Sequence, residues 1–278
     1  MCAPFNESQG QVSELQEFKT TAETQISSLQ TENTTLEEQI AGLLAYKTSA
    51  ETQITEMRDQ LQILRSKVDY SDSAFNYLAI GNSITKHGLA EYWWNEIGMA
   101  ASTEGNDYVH LVADHLMTVH GEVCFHAMNY YRWESQAHDR AETFEFLDPY
   151  LDPRLNLITI QLSENVTDLT TFEGDYEELI RYIQKKVPQA QIIVIDDFWD
   201  AGERAQAKQL AAENTGVQFI FLGEIKGLPE YKAGLGTVVY DANGEPHTIE
   251  HNGVAGHPGD KGMRYIADAV IAALEDGQ

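Results

Sequence analysis

Tyr77-Leu78-Ala79-Ile80-Gly81-Asn82-Ser83-Ile84-Thr85 is the stretch on which the reading of the fold turns. Residues 77–80 form a short apolar run with no polar alternation, the pattern of a strand covered on both faces, as in a parallel sheet flanked by helices. Gly81 allows a tight turn as the chain leaves the sheet. Ser83 is then presented at the sheet's carboxyl edge.

Working outward, apolar runs of strand length occupy 123–128, 157–162, 192–195 and 217–222, and helix-like stretches occupy 107–119, 176–187, 201–214 and 261–274. Strand and helix alternate with short connections, which predicts a three-layer α/β/α sandwich around a parallel sheet. Ligand sites in such sheets lie beyond the carboxyl ends of the strands. The places to search are therefore those from Gly81, Asn129, Ser163 and Asp196 onward. Residues 229–256 break the alternation; 238–240 and 247–250, flanking Asp241-Ala242-Asn243-Gly244, read as a β-hairpin with an Asn-Gly turn near the site.

Three residues at those edges could act together. Ser83 supplies a hydroxyl. Asn165, in Gln161-Leu162-Ser163-Glu164-Asn165, supplies a side-chain amide. His257, in Gly256-His257-Pro258-Gly259-Asp260-Lys261-Gly262, supplies a base fixed just before the last helix. A serine that attacks a carbonyl needs a neighbouring base, and the oxyanion that forms needs hydrogen-bond donors. Singly each residue is weak evidence, because a serine after a strand is usually a helix cap. Their joint placement carries the signal.

On these residues the chain resembles the SGNH (GDSL-like) hydrolase family over roughly residues 75–275. Gly81-Asn82-Ser83 is similar to the family's first block, Gly-Asp-Ser, with asparagine in place of aspartate. Ser163-Glu164-Asn165 is similar to the third block, Gly-x-Asn-Asp, and residues 257–268 to the fifth block and its helix. The resemblance implies a carboxylic ester hydrolase with Ser83 as nucleophile and His257 as general base. Its oxyanion hole would comprise the Ser83 N–H and the Asn165 side chain.

Three departures qualify what it implies. Asn129-Tyr130-Tyr131-Arg132-Trp133-Glu134 holds no glycine where the second block offers an N–H, which leaves Trp133 or Glu134 as the backbone donor, Glu134 being assigned. Ser163 replaces a glycine. Val254 stands where the family places an aspartate three residues before the histidine. An orienting group fixes the imidazole tautomer, and that task falls to a main-chain carbonyl of 250–256, or to Glu250 or Asp260. The expected catalytic unit is a Ser83–His257 dyad.

Aromatic residues crowd the same edge. Trp93, Trp94, Tyr131 and Trp133 are the candidate substrate-binding residues, with Lys86, His87, Tyr92 and Tyr130 beside them. Such rings stack on sugar faces. They point to an acylated carbohydrate, or a small ester, and to removal of O-acetyl groups through an acyl-enzyme. Transfer to a second sugar needs no further residue, so an O-acyltransferase is one alternative. A weakened or inactive domain serving as an oligomeric glycan-binding scaffold is another. No zinc-type Cys/His spacing, His-Glu-x-x-His or glycine-rich phosphate loop is present, so no metal or cofactor is expected.

Residues 12–68 follow a different rule, one seven-residue repeat. Val12, Lys19, Ile26, Asn33, Ile40, Lys47, Ile54, Leu61 and Val68 take position a; Leu15, Ala22, Leu29, Leu36, Leu43, Ala50, Met57 and Leu64 take d. A strict heptad sustained this long predicts a left-handed coiled coil. Phe18-Lys19-Thr20-Thr21-Ala22-Glu23-Thr24-Gln25-Ile26 returns in kind from Tyr46 to Ile54, four heptads later. Ile at a, Leu at d and a polar Asn33 favour a parallel dimer, whereas Phe18, Leu44 and Tyr46 at flanking positions suit a trimer. The expected organisation is a coiled-coil oligomerisation stalk over 1–68, a hinge over 69–74 and an SGNH-like domain over 75–278.

Composition sets outer bounds. A net charge of −26 over 278 residues argues against nonspecific binding to nucleic acid or anionic lipid. No apolar run approaches the roughly 18 residues needed to span a membrane, and no signal peptide is read. Cys124, in Val123-Cys124-Phe125, is expected to be a buried free thiol. Cys2 fits either a surface thiol or a lipid-modified cysteine left by processing. An extracellular or cell-surface location is favoured over the cytoplasm.

Overall fold

The computed structural model describes residues 3–65, 68–136, 138–199 and 202–276. Cys2 lies outside them. The chain divides into two compact units, the first ending at Arg65 and the second beginning at Ser66.

The first unit is a single α-helix, α1 (Ala3–Arg65), about 95 Å long at 1.5 Å per residue. Lys19–Glu23 and Lys47–Glu51 form equivalent i,i+4 ion pairs in the two copies of the repeat. Its apolar seam is open to solvent, with exposures running from 44% at Ile54 to 69% at Leu43. An isolated helix has nothing to bury these residues against. Val68, expected as the last seam position, instead packs against the second unit's core.

The second unit is a five-stranded parallel sheet: β1 (Phe75–Gly81), β2 (Val123–Asn129), β3 (Leu157–Gln161), β4 (Gln191–Ile195) and β5 (Gln218–Ile220), in the order β2-β1-β3-β4-β5. Helices α2 (Tyr108–His120) and α7 (Asp260–Asp276) cover one face, with α4 (Phe172–Lys186) and α5 (Glu203–Thr215) on the other. Between them lie two short helices, α3 (Tyr131–Ser135) and α6 (Asn252–Ala255), and the hairpin β6 (Val238–Tyr240)–β7 (Pro246–Thr248). Successive strand residues serve opposite faces. Tyr77 and Ala79 of β1 enter the core under α2 and α7, and Leu78 and Ile80 the core under α4 and α5. This is why β1 reads as an unbroken apolar run.

The segment expected as a hinge is tied to this unit. Tyr70 is buried, and its hydroxyl donates to the Tyr150 carbonyl. Asn76 Nδ2 donates to the Ser71 carbonyl at 2.8 Å. Cys124 is a free thiol but half-buried rather than buried, because β2 is an edge strand. No helix among the described residues is long and apolar enough to cross a membrane.

Candidate active site

The turn after β1 has little room. A Cβ on Gly81 would lie 1.8 Å from Thr85 Oγ1 and 2.7 Å from the Gln161 carbonyl oxygen, so the close approach of strand and turn requires glycine. The Asn82 carbonyl accepts from the N–H groups of Thr85 and Lys86, and Asn82 Oδ1 accepts from Ile84 N–H at 3.0 Å. Thr85 Oγ1 meets the Tyr108 hydroxyl at 2.7 Å, which ties the turn to α2. Ser83 emerges from this braced turn, and its own N–H has no hydrogen-bond partner among the described residues.

His257 reaches the serine from the other end of the chain. Ser83 Oγ and His257 Nε2 lie 2.8 Å apart. His257 Nδ1 lies 2.7 Å from the Gly253 carbonyl oxygen. A carbonyl only accepts, so Nδ1 carries the proton and Nε2 is left as the acceptor for the serine hydroxyl. The orienting group is therefore the main chain of α6. Asp260 is engaged elsewhere, accepting from Ser102 and Asn106, and Val254 is buried in the core beside α7. Trp199, just past β4, packs edge-on against the imidazole with centroids 5.0 Å apart, and its Nε1 donates to the Gly256 carbonyl. Burial pushes the His257 imidazole down to about 4, and the neighbouring His87 and His251 act in the same direction; the Gly253 carbonyl opposes them.

Asn165 Nδ2 donates one N–H to Glu134 Oε2 at 2.7 Å, and the residue lines the cleft in front of Ser83. Glu134, expected as a backbone donor, acts here through its side chain. Its buried carboxylate accepts from Asn82, Asn165 and the Ser163 N–H. Ser163 holds φ at 135°, a conformation that favours glycine. It is secured by its N–H bond to Glu134 and by its hydroxyl, which donates to Asp197.

The cleft has a volume of about 460 Å³. His87, Tyr92, Tyr131 and His251 line it alongside the serine and the imidazole, and Tyr92 and His251 stack at 4.7 Å. Of the four aromatic residues expected to bind substrate, only Tyr131 lies here, half exposed. Trp133, two residues on, points about 200° around the short helix and is buried against Phe172 and Tyr176. Trp93 is buried in the core under α2 and α7. Trp94 lies off the cleft, stacked on His247 with centroids 4.5 Å apart. Gly253 falls within the 250–256 stretch expected to offer a main-chain carbonyl to the imidazole, whereas Trp199 and His251 were not anticipated as site residues. Trp199 follows β4 at an edge marked for search, but nothing in its local sequence singles it out.

Sheet order, strand-edge serine, partnering imidazole and neighbouring carboxamide are now all in place. The fold is the three-layer α/β/α sandwich around a parallel sheet that the sequence predicted. No protein-family model matches the chain, and no curated protein matches it in sequence. The chain is similar to several solved structures. One is described as a GDSL-like lipase from Parabacteroides merdae, with 15% identity and a TM-score of 0.48, covering 75% of this chain and 98% of that one. Another is an acetyl xylan esterase from Geobacillus stearothermophilus, with 16% identity and a TM-score of 0.48, covering 73% and 95%. A third is a two-domain esterase active on acetylated mannans, with 16% identity and a TM-score of 0.46, covering 78% of this chain and 52% of that one. These are likenesses of shape.

Proposed function

We propose that the SGNH-like domain is a serine esterase that removes acetyl or other short acyl groups from carbohydrate. One observation carries this reading: the Ser83 hydroxyl lies 2.8 Å from an imidazole nitrogen that must be unprotonated, at the floor of an open cleft. In the reaction Ser83 Oγ attacks the ester carbonyl while its proton passes to His257 Nε2. The oxyanion faces the Ser83 N–H and the second N–H of Asn165. Collapse breaks the C–O bond of the ester, and the departing sugar hydroxyl takes the proton back from Nε2. Water then repeats the sequence on the acyl-serine and releases the carboxylate.

Tyr131 and the Tyr92–His251 stack offer apolar faces with polar rims beside the nucleophile, which suits a sugar ring. The test is acetate release from acetylated polysaccharides and from 4-nitrophenyl acetate. Wild type should hydrolyse both, and Ser83→Ala should do so at least about 10³-fold more slowly. Glycan retention without hydrolysis, unchanged by Ser83→Ala, would identify a binding scaffold instead. Acyl transfer to an added sugar in preference to water would identify a transferase.

We further propose that α1 pairs with a second copy of itself as a parallel coiled-coil dimer. A partner with the same seven-residue period covers its exposed seam, and Asn33 fixes the register. Equilibrium sedimentation of the full chain should give twice the monomer mass; a monomer would overturn the pairing, and a trimer its stoichiometry.

A further inference from the structure

Four carboxyl-edge loops converge on one buried polar knot behind Ser83. Asn82, after β1, donates through Nδ2 to Glu134 Oε1 at 3.0 Å and to Glu164 Oε2 at 2.7 Å. Glu134, in α3 after β2, accepts in addition from Asn165 Nδ2 and the Ser163 N–H. Glu164, after β3, accepts at Oε1 from the Gln161 side-chain amide and from Phe198 N–H, which follows β4. Asn82 is fully buried and Glu134 nearly so. Both N–H bonds of the Asn82 amide therefore end on carboxylates, and its oxygen holds the Ile84 N–H next to the nucleophile.

From this we infer that Asn82 and Glu164 form a charge-exchanged anchor, in which asparagine at 82 is required and a carboxylate at 164 takes the negative charge. Together with Glu134, the pair makes the nucleophile turn and the Asn165 loop one hydrogen-bonded unit. These are positioning residues, acting through Ser83 and Asn165. The inference rests on the esterase reading for its kinetic consequences and not for its structural ones.

The chemistry dictates an unusual outcome for Asn82→Asp, the substitution that recreates the Gly-Asp-Ser of the resembled block. It removes both donors and sets a third carboxylate against two others at 2.7–3.0 Å. Like charges at this separation, out of water, are strongly unfavourable unless one takes a proton. The other charged groups facing the knot are already committed: Asp197 is paired with Lys208 at 3.0 Å and with Arg204 at 2.6 Å. Burial, Asp197 and Glu134 push Glu164 up to about 7, so it is available to accept that proton in mildly acidic solution.

Glu164→Gln is also harmful alone. Placing its NH₂ toward Asn82 sets donor against donor, and the flipped amide does the same toward Gln161 and Phe198. Combined with Asn82→Asp, the new amide donates to the new carboxylate while its oxygen keeps Gln161 and Phe198; the contact with Glu134 stays carboxylate against carboxylate, so the double variant relieves one of the two clashes. The experiment measures kcat, KM and the melting midpoint of the full-length wild type, N82D, E164Q and N82D/E164Q at pH 8 and pH 5.5.

At pH 8 each single variant should lose about 100-fold in kcat with little change in KM, and about 10 °C in melting midpoint. The double variant should return to within about tenfold of wild type and recover about half of the lost midpoint, the Glu134 contact being unrelieved. At pH 5.5 the N82D deficit should shrink by about tenfold, since a shared proton supplies the missing donor. A fully active and stable N82D at pH 8, or a double variant no better than the worse single, overturns the inference. If the singles fail to fold, a folded double supports it and an unfolded double overturns it. Should wild type show no hydrolysis, the melting midpoints decide the anchor alone, and the esterase reading fails separately.

Discussion

On the proposed esterase reading, the pH dependence of catalysis gives the sharpest test of how His257 is held. Its imidazole is pushed from 6.5 down to about 4, chiefly by burial. A displacement of that size favours the neutral ring by about 3 kcal/mol, at 1.36 kcal/mol per pH unit. A general base works only when unprotonated, and the acid limb of kcat/KM reports its value in the free enzyme. At pH 5.5 a base titrating at about 4 is about 97% active, whereas one titrating at 6.5 is about 9% active. The two cases differ about tenfold in relative rate there. The assay follows acetate release between pH 3.5 and 8 by proton NMR, so that no chromophore titrates in the range. A half-maximal point near pH 4 is expected, and one between 6 and 7 that persists in Glu164→Gln, and so does not belong to the Glu164 carboxyl, would refute the burial argument. The sign for stability follows from the same shift. The unfolded chain takes up the proton at about 6.5 and the folded chain only at about 4, so the protein loses stability as pH falls through that window.

Three further outcomes follow from the geometry. Asn165→Ala removes the second oxyanion donor and leaves Glu134 Oε2 without its partner; kcat should fall by about 10²–10³-fold with KM nearly unchanged, and a loss below threefold would remove Asn165 from the oxyanion hole. Gly81→Ala drives a methyl group to 1.8 Å from Thr85 Oγ1; chemical denaturation should show a loss of about 3 kcal/mol, and a loss under about 1 kcal/mol would contradict the close approach. Val254→Asp restores an acid three residues before His257, yet Val254 is buried in the core and Nδ1 is already bonded to Gly253. It should cost about 2–4 kcal/mol of stability with no gain in kcat, and a tenfold gain would show that the side chain can reach the imidazole.

The parallel sheet was legible because strands buried on both faces are largely apolar: 77–80 and 192–195 are unbroken runs within β1 and β4, β3 admits only Thr159 and Gln161, and the half-buried edge strand β2 admits His126. Boundaries were less so: α4 begins at Phe172 rather than 176, since Phe172 and Tyr176 lie one turn apart and are both buried. The serine, imidazole and carboxamide were legible through spacing and resemblance, and Ser83 and His257 do meet. The aromatic residues misled because a ring's type does not record which way it faces. Tyr131 and Trp133 sit on one short helix and point to opposite environments. The members of the polar knot lie in stretches the sequence singled out, but nothing there says that their side chains bond one another. Lys208, in α5, was not singled out; it is fully buried, with Asp197 and Ser163 accepting from its ammonium.

On the esterase reading proposed above, that knot bears on how a dyad would work without an acid. In a serine hydrolase triad the acid fixes the tautomer and stabilises the imidazolium, and its loss costs up to about 10⁴ in rate, largely through the wrong tautomer. The Gly253 carbonyl performs the first task, because it can only accept and so keeps the proton on Nδ1. It performs the second only weakly, since a dipole stabilises a cation less than a full charge does. The shortfall belongs to the transition state and lowers kcat. What offsets it is preorganisation on the other side of the reacting carbon. There, Glu134 fixes one N–H of Asn165 and thereby directs the other, and Asn82 holds the serine turn to the same carboxylate. On that reading catalytic power shifts from the base toward the oxyanion donors, so truncating Asn165 should cost more than altering the loop that orients His257.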